Sequence, residues 1–219
     1  RMSEPTDIAA AVFDQLKSAP RDGKNPSRGR LEGKKALVTS GPTHEPLDPV
    51  RYIANRSSGR QGHAIAAALA AEGAETILIS GPTMLADPPG VTVKKVGTAL
   101  DMMTACTKAM PVDIAVCAAA VADWRAADPV SEKIKKNGKP PHFDFVENPD
   151  ILASLSQAGD SRPTLVVGFA AETGAVVKKA LAKRARKGCD WIIANDVSPG
   201  TDTFGGMTKE KMLARCPWR

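Results

Sequence analysis

Aromatic residues are scarce in this 219-residue chain, at 4%, and there is a single tyrosine. Proteins that hold single-stranded nucleic acid stack its bases on aromatic side chains interleaved with cations. The net charge of +6 is therefore read as suited to an anionic small molecule, not to nucleic acid. Tyr52 is followed four residues later by Arg56, which removes the Tyr-x-x-x-Lys pair of a short-chain oxidoreductase. The three histidines, His44, His63 and His142, do not stand at metal-ligand spacing. Four cysteines (Cys106, Cys117, Cys189, Cys216) form no C-x-x-C, and no Gly-x-Ser-x-Gly elbow occurs. No apolar run nears the roughly 18 residues of a membrane span. The opening stretch RMSEPTDIAAAVFDQL carries acids and lacks the apolar core of a signal peptide. These absences lead to the expectation of a cytoplasmic chain with reduced thiols and no membrane contact.

What the sequence does contain is alternation. Apolar runs at 36–40, 76–80, 91–96, 113–119, 164–169 and 191–194 read as strands, and helical runs at 60–72, 98–110, 149–158 and 174–187 lie between most of them. The fold class expected is α/β: a Rossmann-like, mainly parallel sheet with helices on both faces. Residues 4–17 read as a separate amphipathic helix with Thr6 as its cap, followed by a polar linker rich in Gly, Pro and basic residues. In such sheets ligands bind beyond the carboxyl ends of the strands, so the strand-end loops carry the functional expectations. The string SGPT follows a strand twice, at 40–43 and 80–83, and is read as repeated turn chemistry. Cys117, inside DIAVCAAAV, reads as a buried strand thiol and not a nucleophile.

NRSSGRQG, at 55–62, has the small residues of a phosphate-binding turn. Ser57 or Ser58 is placed to cap the helix that follows, and Gly59 and Gly62 permit close backbone approach. The excursion 41–58 breaks the dinucleotide fingerprint, and the second strand ends without a ribose-binding acid, which disfavours NAD. Arg51 and Asn55 then stand beside an anion-friendly helix start, the alternative being a surface Arg and a turn Asn. After the central strand, small residues in AAAVADWR leave room for a flat ring. Asp123 could bind a ribose hydroxyl, a base amino group or a metal-bound water. Lys133, Lys135 and Lys136 in EKIKK share no single face in either helix or strand, and a solvated charge run is the plainer reading. On the helix at 174–187, Lys179, Lys183 and Lys187 stack at i, i+4 and i+8. An anion such as a triphosphate would relieve their repulsion; a solvent-facing stripe is the alternative. In ENPDIL, Asn148 reads as a cap and Pro149 as the first helical residue.

Taken together, VTSGPTHEPLDPVRYIANRSSGRQGHAIA, AAAVADWR, EKIKK, NPDIL, VGFAAET and IIANDVS, in this order from about Gly33 to Gly206, resemble the phosphopantothenoylcysteine synthetase half of the bifunctional bacterial coenzyme A biosynthesis flavoprotein. The resemblance implies residues 1–32 as the tail of a preceding decarboxylase half plus linker, and 33–219 as the synthetase domain. It implies ligation of cysteine to 4′-phosphopantothenate with CTP through an acyl-cytidylate. CTP contacts are implied at Cys117, Ala118, Ala119 and Asp123, then Lys133, then Pro149, Asp150, Ile151 and Leu152, and finally Phe169, Lys183 and Lys187. Phosphopantothenate contacts are implied at Arg51, Asn55, Ala119 and Asp123, with Arg51 acting across a homodimer interface. Asn55 and Lys133 are the implied catalytic residues. Magnesium is expected to come with the triphosphate, with no protein metal ligands. FMN is expected only in the fused decarboxylase half. The family continues past TFGG into a strand, whereas MTKEKMLARCPWR is read here as lacking that strand pattern. An inert nucleotide-binding or oligomerisation module is the competing reading, separable by turnover.

Overall fold

The computed structural model describes residues 29–136, 138, 140–198 and the backbone of 211–215. The expected helix at 4–17 and its linker lie outside the described residues. The six apolar runs form β1 (Lys35–Ser40), β4 (Glu75–Ser80), β5 (Val91–Lys95), β6 (Ile114–Cys117), β9 (Leu165–Glu172) and β10 (Trp191–Asp196). All six pair in parallel, with neighbours such as Leu37 opposite Ile77 and Val116 opposite Val167. With a seventh strand, β11 (Lys211–Arg215), the order across the sheet is β11-β10-β9-β6-β1-β4-β5. Chain order reverses between β1 and β6, which is where a crevice opens.

Side-chain alternation divides the core between the two faces. Ala36 and Val38 point to one face, with Ile65 and Leu69 of α1 (Arg60–Ala71). Leu37 points to the other, with Met102 of α2 (Ala99–Ala109), Leu155 of α3 (Ile151–Ser156) and Ala180 of α4 (Val176–Lys187). Strands buried on both faces explain why the runs are nearly continuous apolar residues. The helix α2 begins with a reciprocal box: Asp101 N donates to Thr98 Oγ1 (3.1 Å) and Thr98 N to Asp101 Oδ2 (3.1 Å). Among the described residues no helix is long and apolar enough to cross a membrane.

Two excursions leave this frame. The loop after β1 folds back on itself through β2 (Glu45–Pro46) and β3 (Tyr52–Ile53). The longer one after β6 does so through β7 (Trp124–Ala126) and β8 (Phe145–Glu147).

Three local expectations need correction. KMLAR does form a strand, β11 (Lys211–Arg215), antiparallel to β10; the open ladder edge of β10 supplies what its sequence pattern does not announce. The helix in NPDIL starts later, with Asp150 as cap accepting from Ala153 N (3.0 Å). Asn148 cannot do that work because its amide donates to Ala122 O (2.8 Å). The cap of α1 is Gly59, with no side-chain cap bond. Ser57 and Ser58 accept instead from Gly59 N (3.2 Å) and Arg60 N (3.5 Å), tightening the approach to the helix.

Candidate active site

Where β1 and β6 part, their following loops are stitched together. Ala118 N donates to Thr39 O (3.2 Å), Ala119 N to Thr39 Oγ1 (3.2 Å) and Ala120 N to Gly41 O (2.8 Å). Ala122 N donates to Thr43 Oγ1 (3.0 Å). The stitching turns the alanine-rich segment after Cys117 into a fixed floor without bulky side chains. Above it opens a cleft of about 1410 Å³, at the carboxyl ends of β1, β6, β9 and β10.

One wall comes from 148–152. Asn148 N donates to Asp123 O (2.9 Å), which fastens this segment to the floor loop beside Asp123. Ile151 and Leu152 bury their side chains in the core, so the start of α3 cannot drift. Gly168 lets Leu152 approach: a Cβ there would lie 2.5 Å from Leu152 Cδ2. Phe169 follows at the rim of the cleft.

The wall made by α4 is cationic. Lys183 Nζ donates to Phe169 O (3.0 Å) and Lys187 Nζ is ion-paired with Asp150 Oδ2. Burial lowers the pKa of Lys183 from the ordinary lysine value, and the charge of Lys187 adds to that; Glu172, Asp123 and Asp150 work against it. Burial alone would raise the carboxyl of Asp150, but its bonds to Lys187 and Ala153 N and the nearby lysine charges outweigh that and hold it low. Lys179 leaves the stripe: its ammonium donates to Thr173 O (2.7 Å) and lies 3.8 Å from Glu172. Thus two of the three stacked lysines face the cleft, and their repulsion is already moderated by carboxylates. Burial first, and then neighbouring Cys106, Cys189 and Asp150, push the Cys117 thiol well above its ordinary value. That fits a wall residue and not a nucleophile.

The third side is the NRSSGRQG turn. Gly59 has φ 76°, a left-handed backbone that suits glycine. At Gly62 a Cβ would lie 2.5 Å from Ser40 Cβ, so this helix can only sit so close to β1 with glycine there. Asn55 Nδ2 donates to Val121 O (2.9 Å), bridging the first excursion to the floor and leaving its second N–H available.

All the sequence-predicted site residues meet in this cleft except Arg51 and Lys133. Those two are brought near each other elsewhere. Asp48, whose side chain is fully buried, accepts from Val50 N (2.8 Å), Arg51 N (2.8 Å) and Ile134 N (3.2 Å). Arg51 Nη2 donates to Ile134 O (3.0 Å). Burial opposes the charged form of Asp48, yet these backbone donors and the Arg51 charge hold its carboxyl below the usual range. Lys133–Lys136 adopt neither helix nor strand.

Sequence reasoning left out several cleft residues. Arg56, Arg60 and Gln61 line it, although the turn holding them had been singled out for its glycines and serines. Asn195 also lines it, and its Oδ1 is buried without a hydrogen-bond partner among the described residues. The available signal was a carboxamide directly after the apolar strand WIIA.

Residues 31–216 match the DNA/pantothenate metabolism flavoprotein C-terminal domain. The coenzyme A biosynthesis bifunctional protein CoaBC of Escherichia coli is 51% identical over 172 residues, covering 77% of this chain and 42% of that protein. CoaBC of Mycolicibacterium smegmatis is 43% identical over 205 residues, covering 89% and 48%. The chain therefore spans less than half the length of these relatives. The crystal structure of the C-terminal domain of a CoaBC superposes with a TM-score of 0.69 at 36% identity, covering 84% of this chain and 83% of that one. The chain belongs to the DNA/pantothenate metabolism flavoprotein C-terminal domain family.

Proposed function

We propose that this domain joins cysteine to 4′-phosphopantothenate using CTP. In the first step a carboxylate oxygen of phosphopantothenate attacks the α-phosphorus of CTP. The bond to the β-phosphate breaks, and pyrophosphate leaves with its electron pair. In the second the cysteine amine adds to the acyl carbon and CMP departs, giving 4′-phosphopantothenoylcysteine. The observation that carries this reading is the convergence of the alanine floor, Asp123, the 149–152 wall, Phe169, Lys183 and Lys187 on one cleft. Similarity to proteins of coenzyme A biosynthesis supports the same reading.

The roles follow from chemistry. Lys183 and Lys187 supply the charge that developing pyrophosphate needs. The floor's small side chains admit the flat base, and Asp123 is placed to accept from a ribose or acyl-substrate hydroxyl. Asn55, a neutral donor, is suited to the tetrahedral oxyanion of the second step. Among the described residues no three His, Cys, Asp or Glu side chains gather for a metal, and Asp150 is taken up by Lys187. That donor set fits magnesium carried mainly by triphosphate and water. Bound there, the ion neutralises phosphate charge. EDTA should abolish turnover and added magnesium restore it. FMN and the decarboxylation step belong to the fused half that this reading places before the domain.

The working unit is a homodimer. Val50 (59%), Tyr52 (54%), Trp124 (51%) and Phe145 (47%) are exposed on the two excursions, a concentration of apolar surface that marks an interface. Pairing two copies through the excursions carries Arg51 and Lys133 to the partner's cleft, where the acyl substrate and CTP phosphates are held. The deciding assay is turnover with CTP, phosphopantothenate and cysteine. Pyrophosphate should appear with the first two alone, and CMP only after cysteine is added. A domain that binds CTP yet releases no pyrophosphate is an inert nucleotide module, and this reading fails.

A further inference from the structure

The stitching between the loops after β1 and β6 ends on a side chain. Pro42 faces Ala120 as an isolated parallel bridge. Beyond it the two loops diverge, and His44 N turns away to Gly97 O (2.9 Å). Ala122 N meets Thr43 Oγ1 instead (3.0 Å). Thr43 is fully buried and Ala122 is 1% exposed, so solvent does not stand in for this acceptor. Thr43 does not itself line the cleft, whereas Asn55, Val121, Ala122 and Asp123 do.

The peptide that Thr43 holds is the one that Asn55 holds. The N–H of Ala122 and the C=O of Val121 belong to a single planar unit, and Asn55 Nδ2 donates to that carbonyl (2.9 Å). The first excursion therefore grips one peptide of the floor from both sides, with Thr43 near its start and Asn55 near its end. In a trans peptide the N–H and C=O point in opposite directions. An acceptor on one side thus fixes where the carbonyl points on the other. A carbonyl only accepts, so Asn55 must turn its nitrogen toward Val121 and its Oδ1 away. The next carbonyls are pinned separately: Ala122 O accepts from Asn148 Nδ2 (2.8 Å) and Asp123 O from Asn148 N (2.9 Å).

We propose that Thr43 is a positioning residue: by holding the 121–122 peptide in one orientation, its hydroxyl oxygen sets the polarity of the Asn55 carboxamide in the cleft. That this carboxamide serves acyl transfer rests on the proposed function; its orientation by Thr43 does not. Without the hydroxyl, a buried N–H is left unpaired. Rotation of the peptide relieves that cost by offering the N–H to Asn55 Oδ1, and the carboxamide turns end for end. Thr43 then acts on the chemistry through Asn55 without touching a substrate.

Thr43→Val keeps the shape and loses the acceptor, whereas Thr43→Ser keeps the acceptor. In Thr43→Val, CTP affinity and pyrophosphate release should stay parental. Cysteine-dependent CMP release should slow on the order of tenfold, the scale of a modest misplacement. The Asn55 side-chain amide resonances of the nucleotide-free protein should shift, and the Ala122 amide should exchange faster. Thr43→Ser should match the parent in all of these. In an Asn55→Ala background Thr43→Val should add no further slowing, because its effect passes through Asn55. Parent-like Asn55 resonances in the valine variant overturn the proposal, as do additive effects in the double variant. A serine variant with shifted resonances or a slowed second step overturns it too. A joint fall in CTP affinity and thermal midpoint makes Thr43 a packing residue, which is equally fatal. The resonances need no nucleotide. A parent that forms no cytidylate therefore sinks the proposed function and leaves Thr43 to be decided by them alone.

Discussion

The cleft wall built from residues 117–123, 149–152, 169, 183 and 187 grows directly out of buried strands and the helices packed on them. Arg51 and Lys133 instead sit on the two excursions, outside the cleft; the buried carboxylate of Asp48 ties Arg51 to Ile134, the residue after Lys133. The first group is placed by the fold of one chain. The second is placed by a local clasp that joins the two segments to each other beside the cleft and not within it. On the proposed function, a site made only from the first group would bind a nucleotide, and joining an acid to an amine would also require the second.

The largest effect should come from Asn55, which bridges the regions through Val121 O. In Asn55→Asp a carboxylate faces that carbonyl, and the neutral donor is gone. Cytidylate formation should persist while its consumption slows by roughly 10²–10³, the loss typical of one oxyanion donor. Mass spectrometry of quenched reactions should show the intermediate accumulating. An enzyme that forms neither intermediate nor product assigns Asn55 to the first step instead. Lys183→Gln should act wholly within the strand-built wall, weakening CTP binding by about 1–3 kcal/mol. Unchanged affinity in that variant removes Lys183 from the phosphate site.

Mixing chains tests the division between regions directly. At a CTP concentration that saturates the parent but lies well below the Kd of Lys183→Gln, Arg51→Ala and Lys183→Gln should each be nearly inactive alone. If sites are shared across a two-fold axis, random exchange of subunits should restore about a quarter of parental turnover, since half the dimers each regain one intact site. No recovery after subunit exchange would mean that Arg51 serves its own chain's cleft.

The same contrast governs what the sequence disclosed. The parallel sheet was legible because strands buried on both faces must be nearly continuous apolar runs, and the lysines were legible because i, i+4 spacing fixes a shared face. Competition between neighbours was not legible. Asn148 looks like a cap until Ala122 O claims its amide, and Asp150 then takes the cap. Lys179 has the same spacing as Lys183 but turns to Thr173 and Glu172. KMLAR becomes a strand by completing the edge of β10, which no local pattern records. Asn195 went unnoticed because its buried, unpaired oxygen exists only once β10 ends inside the cleft.

The smallest predicted effect concerns pH, and its sign separates a site effect from loss of fold. Burial, then Lys187, lowers the pKa of Lys183 beneath the ordinary 10.5, while Glu172, Asp123 and Asp150 offset part of that. Its ammonium therefore loses its proton in the folded protein at a lower pH than it would in the unfolded chain. Between the depressed value and the ordinary one, the unfolded chain binds more protons, so this group's contribution to stability rises with pH. CTP binding moves the other way, because the neutral amine no longer meets the phosphate charge. The KM for CTP should be flat near neutrality and climb through the alkaline range, by up to tenfold per pH unit for one required proton. Lys183→Gln should flatten that limb while leaving neutral-pH folding intact. A thermal midpoint that falls in step with rising KM in the parent, and an unchanged limb in the variant, would instead trace the alkaline loss to unfolding and take Lys183 out of it.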